Sequence, residues 1–166
     1  MTSIWNYTKN TRKHQEETNT YYLGIDPGAH GGFALLENTE VKLARAFDPG
    51  EFLDLINELM RAQQATRCCL EKVSAMPGQG VTSMFSFGQS YGWLKGVLDL
   101  GEIAYQEIRP QQWKKEFGLN SEKAKSIDVC RQMFPKVDLL RTPKCRIPHD
   151  GIAESLLMAE YARRKL

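Results

Sequence analysis

The sequence predicts an α/β fold: a mixed five-stranded sheet, its first three strands antiparallel, flanked by helices. Three observations carry this expectation. Three short apolar or alternating segments follow one another between Tyr21 and Phe47, joined only by turn-length connections, the pattern of an antiparallel meander. Two later apolar segments follow, Cys68–Val73 and Ile103–Ile108; the first is reached by a crossover helix and should therefore lie parallel to the first strand. The chain then closes on helical segments. With 166 residues, 42% hydrophobic and 25% charged, it is long enough for one substantial core and too short for two comfortable domains.

Taken in order, residues 1–19 are rich in Thr, Asn, Lys and Gln and read as a flexible arm, leaving 20–166 as the folded domain. Tyr21–Ile25 is the first strand; Gly28, Gly31 and Gly32 supply a tight turn into the second, Gly32–Leu36, and Val41–Phe47 makes the third. Asp48 is an N-cap with Pro49 at the first helical position. The helix it starts runs to about Ala65 and buries Phe52, Leu55, Ile56 and Leu59, an i, i+3, i+4, i+7 stripe. Cys68–Val73 is a buried strand and Ser74–Gly80 a loop. Thr82 to about Leu100 is a helix carrying Gly88, Gly92 and Gly96 at a spacing of four. Pro110 stops the strand Ile103–Ile108. Gln111–Phe117 and Ser121–Phe134 are helices, the second capped by Ser121 and ended by Pro135. Lys136–Pro148 is a basic loop, and Asp150–Lys165 the last helix. This is the element order of an RNase H-like fold, one of several α/β arrangements that the pattern alone allows.

Composition removes several classes. No stretch approaches the roughly 20 apolar residues of a membrane span, and Met1–Thr20 has no apolar signal-peptide core. Cys68, Cys69, Cys130 and Cys145 show no Cys-x-x-Cys spacing, so reduced thiols of a cytoplasmic protein are expected rather than structural zinc. Adjacent Cys68 and Cys69 on a strand point to opposite faces. The net charge of +2 hides an asymmetry: Arg109–Arg146 holds ten Lys/Arg against four Asp/Glu. A basic segment suits phosphate contact, although a solvated, charge-mixed surface has the same composition.

The chemistry is carried by four acids far apart in sequence. Asp26 ends the first strand in Gly-Ile-Asp-Pro-Gly. Glu71 ends the fourth in Leu-Glu-Lys-Val. Asp150 and Glu154 stand one turn apart at the start of the last helix. Strands are poor in carboxylates, and burying one is costly unless it is paired or holds a cation. Strand carboxylates facing a helical pair form a hard-oxygen set suited to Mg²⁺ and phosphodiester hydrolysis. Each has a plainer reading: Asp26 as a turn cap, and Asp150 as the N-cap of its helix. An Asp-x-Gly strand end also opens the phosphate loop of actin-like ATPases, a fold that needs two such domains.

Four motifs in order, Gly-Ile-Asp-Pro-Gly, Leu-Glu-Lys-Val, Phe-Gly-Gln-Ser-Tyr-Gly-Trp-Leu-Lys-Gly and His-Asp-Gly-Ile-Ala-Glu-Ser-Leu, resemble those of the RuvC-type Holliday junction resolvases, most nearly the short phage-type branch. The resemblance runs from about Tyr21 to Tyr161. It implies a homodimeric RNase H-like endonuclease that uses two Mg²⁺ ions, with Mn²⁺ able to substitute, to cut four-way DNA junctions by paired strand cuts. Asp26, Glu71, Asp150 and Glu154 match the metal-binding carboxylates. The family's better-known members space the last pair by three residues and end it in Asp; here the spacing is four and the residue is Glu, and His149 stands beside them as a further candidate or a capping histidine. Lys114 and Lys123 match lysines near the scissile phosphate, with Lys115 and Lys125 as neighbours hard to tell from them; Arg141 and Lys144 join these four as DNA contacts. The glycine-bearing helix matches one at the family's dimer interface, or packs closely on the sheet. Met84 and Phe85 are candidates for a wedge that stacks on junction bases. Competing readings are a branched-DNA nuclease of looser specificity and a junction-binding protein that does not cut. Nothing in the sequence identifies a helicase partner.

Overall fold

The computed structural model describes residues 19–74, 78, 80–119 and 123–166; of Lys123 and Ala124 only the backbone is described. Residues 1–18 of the expected arm and the expected N-cap Ser121 lie outside the described residues. The strands are β1 (Tyr21–Asp26), β2 (Gly32–Glu37), β3 (Glu40–Ala46), β4 (Thr66–Glu71) and β5 (Ala104–Ile108); the helices are α1 (Pro49–Ala62), α2 (Val81–Leu100), α3 (Pro110–Glu116), α4 (Lys123–Met133) and α5 (Asp150–Lys165). The sheet order is β3-β2-β1-β4-β5. β1 pairs antiparallel with β2 and parallel with β4, and β4 pairs parallel with β5. This is the expected RNase H-like mixed sheet.

Each face of the sheet carries its own core. On one, Leu23, Ile25, Phe33 and Cys68 pack with Phe52, Ile56 and Leu59 of α1 and Leu94 and Leu98 of α2. On the other, Ala34, Leu36 and Cys69 pack with α5, Trp113 of α3 and Cys130 of α4. Cys68 and Cys69 thus serve opposite faces, as strand alternation requires. Asp48 caps α1, its Oδ1 accepting from the Glu51 N–H at 3.0 Å. That helix stops at Ala62, short of the expected end, because Gln63 turns left-handed (φ 50) and donates its N–H to Met60 O. The freed chain lets Ala65 O accept from Tyr21 N at 2.8 Å, which sets β4 beside β1.

The last helix departs most from expectation. Its sequence predicts one inward stripe, Ile152, Leu156 and Ala159, yet every residue from Gly151 to Ala162 is buried. α5 lies between the sheet and helices α3 and α4, so it has no solvent face along most of its length. Its polar residues are satisfied in place: Glu160 accepts from Arg163 Nε at 2.7 Å and Arg164 Nε at 2.7 Å.

Close approach of α5 to β1 depends on Gly24. A Cβ there would stand 2.0 Å from Ser155 O and 2.2 Å from Ala159 N, both rigid backbone atoms. Gly24→Ala is therefore expected to cost about 3 kcal/mol or more, since overpacking that the core cannot absorb is among the costliest substitutions. Urea unfolding checks this; a loss under about 0.5 kcal/mol would contradict the packing described.

Candidate functional site

The sheet brings two of the acids together. β1 and β4 are parallel neighbours with Ile25 opposite Leu70, so Asp26 and Glu71, the last residue of each strand, emerge side by side at one sheet end. The start of α5 is pressed onto the turn that follows Asp26. A Cβ on Gly32 would lie 2.5 Å from Gly151 O, and one on Gly151 would lie 2.3 Å from His30 O. Two backbones this close place Asp150 and Glu154, on the first turns of α5, against the strand ends. Gly28, at φ 142, supplies a backbone conformation in that turn which favours glycine.

The electrostatics register the convergence. Burial, followed by the charges of Glu71, Glu154 and Asp150, pushes the Asp26 carboxyl up to about 8, with Lys114 opposing. Glu71 is also raised, first by burial; the indole N–H of Trp113 and the charge of Lys114 oppose this, while Glu154 adds to it. Glu154 is only 7% exposed. Its Oε1 accepts from Ser126 Oγ at 3.0 Å and pairs with Lys114 Nζ at 3.0 Å. Among the described residues no three acidic, histidine or cysteine side chains close to ligating distance of a common point; a lysine ammonium answers Glu154 instead. Four hard-oxygen carboxylates, one of them already paired with a lysine ammonium, are a donor set that fits Mg²⁺.

The other expected residues fall as follows. His149, not Asp150, is the N-cap of α5: its Nδ1 accepts from Ile152 N at 3.3 Å. Asp150 occupies the first helical position, where a carboxylate complements the helix dipole. Lys114 reaches the site from α3, Lys115 and Lys125 are exposed, and the Lys123 side chain lies outside the described residues. Arg141 and Lys144 are exposed on the basic loop. That loop is pinned at its ends by a Leu140–Pro148 bridge and by His149 N donating to Leu139 O at 2.7 Å, so it leads directly into the acidic pair. Phe85 is 67% exposed and Met84 half-buried. Among the described residues, no atom outside the helix's own nearby backbone lies within 4 Å of the position a Cβ would take at Gly88, Gly92 or Gly96, so close packing of these positions on the described sheet does not account for them.

Sequence reasoning missed several residues. Trp113 is fully buried and its Nε1 donates to Glu71 Oε1 at 3.0 Å; the signal was an aromatic directly before Lys114. Ser126 is likewise fully buried. Tyr91 Oη donates to Glu107 Oε1 at 2.7 Å and lies 3.2 Å from Glu71 O, tying α2 to the end of β4. Lys72 and Arg109 line a cleft of about 900 Å³ together with Phe87, Gln111 and Gln112. It adjoins Glu71.

The class this architecture defines is RNase H-like. Within it, two solved structures resemble the chain: "T. thermophilus RuvC in complex with Holliday junction substrate" and "Thermus thermophilus RuvC structure". The first superposes with a TM-score of 0.58 at 16% identity, covering 88% of this chain and 96% of that one. The second gives 0.53 at 17% identity, covering 87% and 96%. The likeness is one of fold, and it falls on the family whose motifs the sequence resembles. No protein-family model and no curated protein sequence matches the chain.

Proposed function

We propose that this chain is a Mg²⁺-dependent endonuclease acting on branched DNA, with the four-way junction as substrate. The observation that supports the reading is the placement of Asp26 and Glu71 at the ends of adjacent parallel strands, with the first turns of α5, which carry Asp150 and Glu154, packed against the turn after Asp26. The fold likeness to a RuvC solved with a Holliday junction substrate supports the choice of DNA. The four carboxylates would hold two divalent ions, Mg²⁺ or Mn²⁺. When bound, such ions activate water for in-line attack at phosphorus and stabilise the leaving oxygen.

The chain's own residues supply the rest. Lys114 offers its ammonium to the scissile phosphate, where a cation offsets developing negative charge; Lys123 is proposed for a similar contact. Lys115, Lys125, Arg141 and Lys144 meet flanking phosphates. Phe85, on an exposed turn of α2, stacks on bases at the branch, with Met84 beside it. Junction binding is therefore expected to weaken steeply with salt, because bound phosphates release counterions. Reversing charge at Lys136, Arg141 and Lys144, all exposed, should flatten the log–log slope in an anisotropy titration. A slope near zero for the wild type would contradict the basic loop's role.

The homodimer is part of the proposal. A four-way junction offers two equivalent strands, and a two-fold dimer matches that symmetry. The open glycine face of α2 is proposed as the meeting surface. A Cβ at Gly92 meets no atom of the described residues within 4 Å outside the helix's own nearby backbone, so Gly92→Leu should leave the fold intact, yield a monomer in sedimentation and reduce paired cutting to single nicks. A wild-type monomer on the junction would overturn this.

Cleavage of a mobile four-way junction beside a fork, a flap and a plain duplex, with and without Mg²⁺, tests the whole reading. Metal-dependent paired cuts in the junction alone are expected. Equal cutting of flap and fork would mean a looser branched-DNA nuclease, and binding without cutting would mean a recognition module.

A further inference from the structure

Consecutive residues of α3 reach two different carboxylates of the site. Trp113, fully buried, sends its indole N–H to Glu71 Oε1 at 3.0 Å. Lys114 sends its ammonium to Glu154 Oε1 at 3.0 Å and stands 5.1 Å from the centre of the Trp113 ring. Ser126 of α4, also fully buried, donates its hydroxyl to the same Glu154 oxygen at 3.0 Å. The two neutral donors differ from Lys114 in one respect: neither is exposed to solvent, so neither can follow a phosphate.

We propose that Trp113 and Ser126 are positioning residues that orient the Glu71 and Glu154 carboxylates for a divalent cation without touching it, an inference that rests on the metal-dependent reading above. Each donor engages one oxygen of its carboxylate and leaves the other for a ligand. Each is held rigidly, Trp113 within the core of the α5 face and Ser126 between α4 and α5. A carboxylate on a strand end or helix can rotate about its terminal torsion, which is broad and nearly two-fold. A fixed donor at one oxygen removes that freedom before the cation arrives. Hydrogen bonds of this kind to ligating groups are worth about 10- to 100-fold in metal affinity or activity when removed. Neighbouring positions of α3 thereby act differently. Trp113 fixes a ligand, while Lys114, partly exposed, exchanges Glu154 for phosphate.

The test is calorimetric titration of the DNA-free protein with Mn²⁺, alongside thermal unfolding in EDTA and cleavage at rising Mn²⁺. Ser126→Ala and Trp113→Phe are each expected to weaken Mn²⁺ binding about 10- to 100-fold. Cleavage should shift to higher Mn²⁺ and recover towards wild type at saturation. Ser126→Ala is nearly isosteric and keeps the fold, so it decides the matter for Glu154 even if Trp113→Phe unfolds. Replacing Trp113 by benzothienylalanine, which keeps ring size and has no N–H, decides it for Glu71. Lowered melting temperature with unchanged Mn²⁺ affinity would reduce both residues to core packing and overturn the inference. A wild type that binds Mn²⁺ with the expected dependence on these donors, yet cuts no DNA, would instead refute the nuclease reading alone.

Discussion

Asp26→Asn is expected to abolish junction cleavage, leave junction binding intact or tighter, and stabilise the metal-free protein. The three effects share one cause. Asp26 sits where burial and the charges of Glu71, Glu154 and Asp150 all disfavour its anion, raising it from 3.8 to about 8. A carboxamide keeps the shape, removes the charge that would hold a divalent cation, and relieves the repulsion. The pH dependence follows from linkage. Because the folded carboxyl holds its proton more tightly than the unfolded one, its contribution to stability is fully present below about pH 4. It is lost as pH rises through about 8. Glu71, raised for the same first reason, acts in the same direction. In EDTA the melting temperature of the wild type should therefore carry a contribution that falls as pH rises from about 4 to about 8, and Asp26→Asn should remove much of that dependence. Added Mg²⁺ should stabilise the wild type and do little for the variant. Near-wild-type cleavage by Asp26→Asn at saturating Mg²⁺ would refute the assignment, and an unchanged pH slope would refute the electrostatic account.

Much of this site was legible because strand ends announce themselves. Asp26 and Glu71 each close an apolar run, and the crossover through α1 predicts parallel strands; the structure makes them neighbours, which brings their last residues together. The spacing of Asp150 and Glu154 placed both on one face in the same way. What the sequence could not carry were partners set by tertiary distance. Trp113 lies 42 residues from the glutamate it bonds, and nothing in Gln-Gln-Trp-Lys-Lys separates a buried indole donor from ordinary core. Full burial of α5 was hidden for a similar reason. Glu154, Ser155 and Glu160 are polar side chains that would ordinarily face water, but Glu154 is answered by Lys114 and Ser126, Glu160 by Arg163 and Arg164, and Ser155 by Ile152 O at 2.9 Å. Polar satisfaction inside the fold makes a buried helix resemble an amphipathic one. The cap of α5 was left open between His149 and Asp150, because histidine and aspartate can both accept from the first-turn N–H groups; the structure gives it to His149.

Glu154→Gln should slow cleavage by at least about 10²-fold, a loss comparable to removing one strong transition-state contact, although its spacing from Asp150 departs from the pattern of the better-known resolvases. Its charge bears on Asp26 more strongly than that of Asp150 does. At 7% exposure a carboxylate is retained only if cations or donors answer it, and Lys114 and Ser126 do so at 3.0 Å each. The amide would lose attraction for any divalent cation and loosen Lys114, so both metal affinity and the lysine's placement should suffer. Glu154→Asp should keep part of the activity, since the charge survives while the reach shortens. The competing ligand is His149, whose Nδ1 is engaged in capping Ile152 N. Losing a cap costs about 0.5–2 kcal/mol of stability, so His149→Ala should lower the melting temperature while its single-turnover cleavage rate stays within about tenfold of wild type. Single-turnover cleavage of one junction by Asp150→Asn, Glu154→Gln and His149→Ala separates the two. A Glu154→Gln variant that cuts like wild type beside a dead but folded His149→Ala would transfer the fourth carboxylate's role to the histidine, through its Nε2 face.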